Sequence, residues 1–444
     1  MFTASSKVPL RFVDVAVTYT ADQFHGIYRG NKYHESDFAD VIKRAQQYGC
    51  EKMILTTMTM AGAHINLQLA RQYPRICTMT LGVHPYHVEE IYATQDGGVS
   101  YLQSLRELGT RLLAETPSSV VAFGEIGLDY EYLDRADKET QQRAFCDQLN
   151  LAVDMQLPLF LHVRDSCADF IDIISPYMSR FPRGGLVHSF SGSRAEMEQL
   201  VGLGLHISVN GISFRTDDQL EMVRHIPLDK LQLETDAPWC EVLSKDEKIA
   251  SYLETARPLP PSRKYQKFIA GQMIKSRNEP CTIERVAMVV AGLKGVPVET
   301  VAEAAWNNSS LLFVVLVKLS EKKKFGGTAA FSCYLTMPFN KRARIEIENE
   351  NDEAYFQSFY IDYELYAEPL PADTLYFHAH WRRMTPTNGW ASSRIQNDSL
   401  ETQIPNFDGR LTTLFGRRRA LASTLAATTP SRTSRARGGA KATT

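Results

Sequence analysis

Eight short runs of apolar and β-branched residues, separated by stretches of helical periodicity, recur between residue 10 and about residue 320 and limit the folds open to this chain. The runs are RFVDVAV from Arg11, KMILTTM from Lys52, CTMTLGV from Cys77, VVAFGEIG from Val120, LPLFLHV from Leu157, GLVHSF from Gly185, HISVNG from His206 and LQLETD from Leu231. Helical spacing lies between them, as in Phe38 to Tyr48, Lys138 to Met155 and Ser193 to Leu203. Near-continuous apolar strands alternating with helices imply parallel strands covered on both faces. Eight such units in a stretch of this length fit one α/β domain, a (β/α)8 TIM barrel, better than two smaller domains. An open doubly wound sheet is the alternative.

The pattern stops near Leu319. SEKKKFGG from Ser320 reads as a charged, glycine-ended linker over 320–330. Beyond it, ARIEIEN from Ala343, YFQSFYIDYELY from Tyr355 and LYFHAHWRR from Leu375 are aromatic and alternating, which predicts a short β-rich segment over 331–390. From 391 to 444 the chain is rich in Ser, Thr, Ala and Arg, with Arg417 to Arg419 in a row and no acidic residue after Asp408, so a disordered basic tail is expected. Such a tail suits a nuclear address or nucleic-acid contact as well as a solvated terminus.

With 44% apolar and 23% charged residues, the 444-residue chain has an ordinary globular composition. A formal net charge of −2 argues against attachment to DNA by overall basicity, though a local patch can still bind phosphates. Seven cysteines without a C-x-x-C pair read as free thiols of a reducing compartment. The amino terminus shows no secretory apolar stretch, and LLFVVLV at Leu311 to Val317 is too short to span a bilayer, so no membrane is expected. The expected location is cytoplasmic, with a nuclear one also open.

In a (β/α)8 barrel the carboxyl ends of the strands open into one shared mouth, where chemistry-bearing side chains belong. Glu125 ends the fourth run, His162 lies near the end of the fifth, His188 ends the sixth and Asp236 ends the eighth. A lone histidine in an apolar strand is more often a hydrogen-bonded core residue, and Glu125 alone could be an arginine partner. Two imidazoles and two carboxylates aimed at one mouth are harder to explain separately, because an ionised carboxylate beside apolar strands is costly without a cation. The four make a mixed nitrogen and oxygen site suited to Mg²⁺, Mn²⁺ or Zn²⁺.

At these segments the chain resembles the TatD family of metal-dependent deoxyribonucleases, whose members carry G-E-[IC]-G-L-D, L-H-x-R, H-S-F-x-G and E-T-D-x-P in this order. Here they stand at Gly124 to Asp129, Leu161 to Arg164, His188 to Gly192 and Glu234 to Pro238. Further agreement at Phe24 to Gly30, Gly82 to Val88, Ser208 to Phe214, Thr235 to Cys240 and Ser276 to Cys281 is similar to the eukaryotic branch, over about residues 9–318. The resemblance implies a TIM barrel that hydrolyses DNA phosphodiesters with one or two divalent ions, acting as a 3′-to-5′ exonuclease. Glu125, His162, His188 and Asp236 match the metal ligands. Metal-activated water is then the nucleophile, with Glu125 the shared ligand and Asp236 both ligand and general base. Arg29, Arg164 and His84 are candidate contacts to the DNA substrate.

One departure stands out. Many relatives begin with D-x-H-x-H, whereas this chain reads Asp14-Val-Ala-Val-Thr18, so both first-strand imidazoles are replaced and one of two metals loses ligands. Asp14 remains a possible carboxylate near the site. An amidohydrolase or esterase acting on a small molecule or aminoacyl-tRNA is an alternative on the same barrel, and a non-catalytic scaffold with a decayed site is another. Tyr334 to Arg383 separately resembles part of a fructofuranosidase-type glycoside hydrolase family of jelly-roll fold. It lacks that family's G-T-G-T-E-D stretch, which suggests a truncated, non-catalytic remnant.

Overall fold

The computed structural model describes residues 10–115, 118–313, 333–336 and 378–381. Eight strands form one parallel sheet in sequence order: β1 (Phe12–Val17), β2 (Cys50–Leu55), β3 (Cys77–Leu81), β4 (Val120–Asp129), β5 (Leu159–Arg164), β6 (Gly185–Val187), β7 (His206–Val209) and β8 (Leu231–Leu233). The sheet curls into a nearly closed TIM barrel. Its seam is drawn together past the end of β8, where Val17 bridges Ala237 in parallel and the Thr18 amide donates to the Ala237 carbonyl at 2.8 Å.

The helices that cover the barrel follow local chemistry. Lys138–Met155 is helical over the span its periodicity predicts, and the Asp137 side chain caps it by accepting from the Thr140 amide. At Arg194–Gly202 a capping box joins Ser193 and Glu196, each side chain accepting from the other's backbone. Phe123, Leu161, Ile207 and Leu231 pack outward against the helical layer. Val13, Val15, Ile54, Val121, Phe160 and Leu186 pack in a second cluster with Leu312 and Phe313 of the last helix, Val298–Phe313.

One strand departs from regular pairing, and it carries the site. Phe123 pairs with Leu159 but Ile126 with Leu161, so β4 holds one extra residue between them. The bulge is flanked by glycine at positions where no other residue fits. Gly124 (φ 151°) and Gly127 (φ 146°) lie so close to β5 that an added Cβ would fall 2.0 Å from the carbonyl oxygens of Phe160 and His162 respectively. The G-E-I-G sequence thus presses β4 against β5 and offsets Glu125 from the regular ladder.

Among the described residues no helix is long and apolar enough to cross a membrane. The chain divides at Lys318 into two units. In the second, Cys333–Thr336 and His378–Trp381 pair antiparallel, with Cys333 opposite Trp381. The other residues of the expected β-rich segment, the 320–330 linker and the 391–444 tail lie outside the described residues.

Candidate metal centre

Three imidazoles converge on a single carboxylate oxygen. Glu125 Oε1 lies 2.8 Å from His162 Nδ1, 3.2 Å from His84 Nε2 and 3.2 Å from His188 Nε2. These side chains come from the β4 bulge, β5, the turn after β3 and the residue following β6. Facing nitrogens of His84 and His162 are 3.4 Å apart. The sequence-derived ligands Glu125, His162 and His188 are therefore brought together, and His84, assigned from sequence to the substrate, stands among them.

Outer carboxylates fix the imidazoles. His162 Nε2 is 2.7 Å from Asp129 Oδ2, and His188 Nδ1 is 3.1 Å from Glu234 Oε2. Glu234 also accepts from the Ser208 hydroxyl at 2.6 Å and the Asn210 amide at 2.8 Å. Such carboxylate–imidazole pairs set ring orientation and raise the basicity of the inward nitrogen. Sequence reading gave Asp129 and Glu234 no role, although both signals were present. Asp129 is four residues beyond Glu125, and Glu234 is the first residue after β8.

The electrostatics suit a cation. Burial pushes the Glu125 carboxyl up, but the charge of His188 and hydrogen bonds from His162 and His188 outweigh it and hold the acid well below its usual range. Burial depresses His84 to about 4, and because its Nδ1 accepts from the Tyr86 amide at 3.1 Å, the neutral ring turns its Nε2–H toward Glu125. Burial also works against charging His162 and His188, but the surrounding carboxylates overcome it and raise both. His84, Glu125 and His162 present donors within 4.8 Å of one another, and this set of two nitrogens and one oxygen fits a divalent ion.

Asp236 stands beside this group without a hydrogen bond to any imidazole. Its backbone is left-handed (φ 50°), and its carboxylate accepts from the Cys240 thiol at 3.1 Å. Burial pushes Asp236 up to about 7, with the negative charges of Glu234 and Glu125 adding to the rise and His188 opposing it. Asp14 is bonded to Thr235 and not to an imidazole. It accepts from the Thr235 amide at 2.9 Å and the Thr235 hydroxyl at 2.5 Å, and burial raises it to about 8, so it is chiefly protonated at neutral pH.

Neither candidate arginine bonds an imidazole of the cluster, although the charge of Arg164 helps hold Asp129 low. Arg164, at the end of β5, is ion-paired with Glu131 and sits over the Tyr132 ring. Arg29 is exposed at the turn of a hairpin in which Tyr28 pairs with Asn31. At the first-strand positions that hold histidine in many relatives, Ala16 is packed in the apolar barrel cluster and the Thr18 hydroxyl bonds Thr56 at 2.7 Å.

An eight-stranded barrel with buried imidazoles and carboxylates converging at its mouth defines a metal-dependent hydrolase class. Residues 13–314 match the family described as TatD related DNase, to which this chain belongs. The Deoxyribonuclease Tat-D of Schizosaccharomyces pombe is 41% identical over 300 residues, covering 68% of this chain and 95% of that protein. A protein of Erwinia amylovora named 3'-5' ssDNA/RNA exonuclease TatD is 35% identical over 303 residues, covering 68% of this chain and 98% of its own length. Among solved structures, an uncharacterized amidohydrolase from Saccharomyces cerevisiae superposes with a TM-score of 0.65 at 30% identity, covering 69% of this chain and all of that one.

Proposed function

We propose that this protein hydrolyses DNA phosphodiester bonds as a metal-dependent exonuclease that removes nucleotides from the 3′ end. The observation that carries the reading is the convergence of three imidazoles on Glu125 Oε1. Glu125, His162, His188 and Asp236 are the proposed ligands, and His84 supports Glu125 by donating its Nε2–H. A divalent ion held there, Mg²⁺, Mn²⁺ or Zn²⁺, would supply a water of lowered pKa and would neutralise charge on the phosphoryl oxygens. One ion per barrel is favoured over two, because Ala16 and Thr18 leave the β1 side without imidazoles.

The chain's own groups then have separate tasks. Asp236 takes up the proton of the attacking water, a task suited to a carboxylate placed just beyond β8 beside the imidazoles. Asp129 and Glu234 hold the imidazoles in place. Arg29 contacts a substrate phosphate, and Arg164, if its pairing with Glu131 opens, contacts another. Replacing Asp236 by Asn keeps the shape and removes the base, so nucleotide release from 3′-labelled single-stranded DNA with Mg²⁺ or Mn²⁺ should fall about 10²- to 10⁴-fold in kcat. Equal release by wild type and Asp236→Asn would remove Asp236 from the mechanism.

A further inference from the structure

Beside the barrel seam lies a cleft of about 500 Å³, lined by residues that include Ala21, Asp22, Tyr28, Arg29, Trp239 and Tyr265. We infer that it is a subsite for one unpaired nucleobase stacked on the Trp239 indole, with an adjoining phosphate on the Arg29 guanidinium. The inference rests on the phosphodiesterase reading of the metal centre and says which part of the substrate lies where.

Three observations carry it. The first is the indole. Trp239 leaves 44% of its surface exposed in the lining of this cleft, and its amide donates to the Asp236 carbonyl at 2.9 Å. That turn tethers a large aromatic face three residues from the proposed base. The second is the aromatic lining: Tyr28 and Tyr265 stack with centroids 4.3 Å apart and 5° between planes, while Tyr33 meets Tyr265 edge-on at 4.7 Å. The tyrosines thus brace one another. Flat aromatic surfaces accept any base because every base has a π-face, but a base inside a duplex has both faces covered.

The third observation is the placement of Arg29. With φ of 52° at Arg29 and 76° at Gly30, the two-residue turn has both central residues left-handed, a conformation that favours Asn-Gly. An arginine accepts that disfavoured backbone here, and its side chain reaches the lining of the cleft. Among the described residues the Arg29 guanidinium has no hydrogen-bond or ion-pair partner. An arginine without an ion-pair partner, lining the same cleft as Tyr28, Trp239 and Tyr265, complements a phosphate next to a base.

The test uses the full chain, a single-stranded oligothymidylate, and the same oligomer with one base removed at each of its last three positions in turn. Dissociation constants are read by fluorescence anisotropy with metal chelated, and KM and kcat with metal present. Trp239→Ala should weaken binding and raise KM by about tenfold or more with kcat unchanged, and Trp239→Phe should recover most of the loss. For one abasic position, wild type should lose the same factor, and Trp239→Ala should add little to it. Arg29→Ala should lower the salt dependence of binding by roughly 0.7 in log–log slope. Unchanged affinity in Trp239→Ala overturns the subsite, as does a penalty equal on intact and abasic oligomers, which would mark Trp239 as a support for Asp236. Wild type that neither binds nor cleaves any oligomer overturns the nuclease reading itself.

Discussion

Two buried charge clusters in this barrel have similar ingredients and opposite designs. Near the seam, Arg277 forks onto Asp37 at 2.6 and 2.7 Å and reaches Glu279 at 2.8 Å, while Arg44 pairs with the same two acids. Two permanent cations meet two carboxylates in matched, forked geometry, and the charges cancel. Around Glu125 the cations are imidazoles, which can give up their charge, and three nitrogens crowd one oxygen. The first arrangement neutralises its carboxylates with fixed charges and braces the fold, although among the described residues one guanidinium nitrogen of each arginine is left without a hydrogen-bond partner. The second draws its positive charge from His162 and His188 alone, and a metal ion can replace the protons they carry. What separates a structural ion cluster from a candidate site is therefore whether its positive charge is exchangeable, more than how deeply it is buried.

The comparison can be broken at the seam. Arg277→Met leaves Asp37 and Glu279 facing Arg44 alone in a buried setting, and removing one partner of such a cluster typically costs about 3–5 kcal/mol. Urea titration should show that loss, while the activity of the still-folded protein at low temperature is retained. A loss of activity without a loss of stability would put Arg277 in the functional machinery. Acid sensitivity sharpens the point. Burial would raise Asp37, but hydrogen bonds from Arg277 and the charges of both arginines hold it below 3.8, so its contribution is present above that pH and disappears as pH falls through the lowered value. Arg277→Met should flatten this part of the stability profile.

A smaller effect belongs to the metal side. Asp129→Asn keeps a hydrogen-bonding group against His162 Nε2 and removes the charge that orients and enriches the ring. Metal affinity and activity should fall about 10- to 100-fold with little change in melting temperature. If the melting temperature dropped by as much as for Arg277→Met, the two clusters would share a structural role and the contrast between them would fail.

Much of the barrel was legible in the sequence because parallel strands buried on both faces must be apolar throughout. The helix at Lys138–Met155 was likewise bounded by its own periodicity and cap. Strand ends were harder to read. β4 runs on through Asp129 because the bulge at Glu125 restores its pairing with β5, so Glu125 lies within the strand and Asp129 at its end. His84 was missed as part of the cluster for a related reason. It lies beyond the end of β3, in a turn where its Nδ1 accepts from the Tyr86 amide, and only curling of the sheet brings its other nitrogen to Glu125. Arg29 and Arg164 looked equivalent as cations in the sequence, and neighbouring side chains distinguish them: Glu131 pairs with Arg164, and Arg29 borders a cleft.

The most direct test of the central claim is a calorimetric titration of the chelator-stripped full chain with Mn²⁺, run on wild type and Glu125→Ala alongside digestion of end-labelled single-stranded DNA. Wild type should bind one ion per barrel saturably, with both binding and digestion abolished in the variant. Retention of either at the wild-type level in a folded Glu125→Ala protein would contradict that claim.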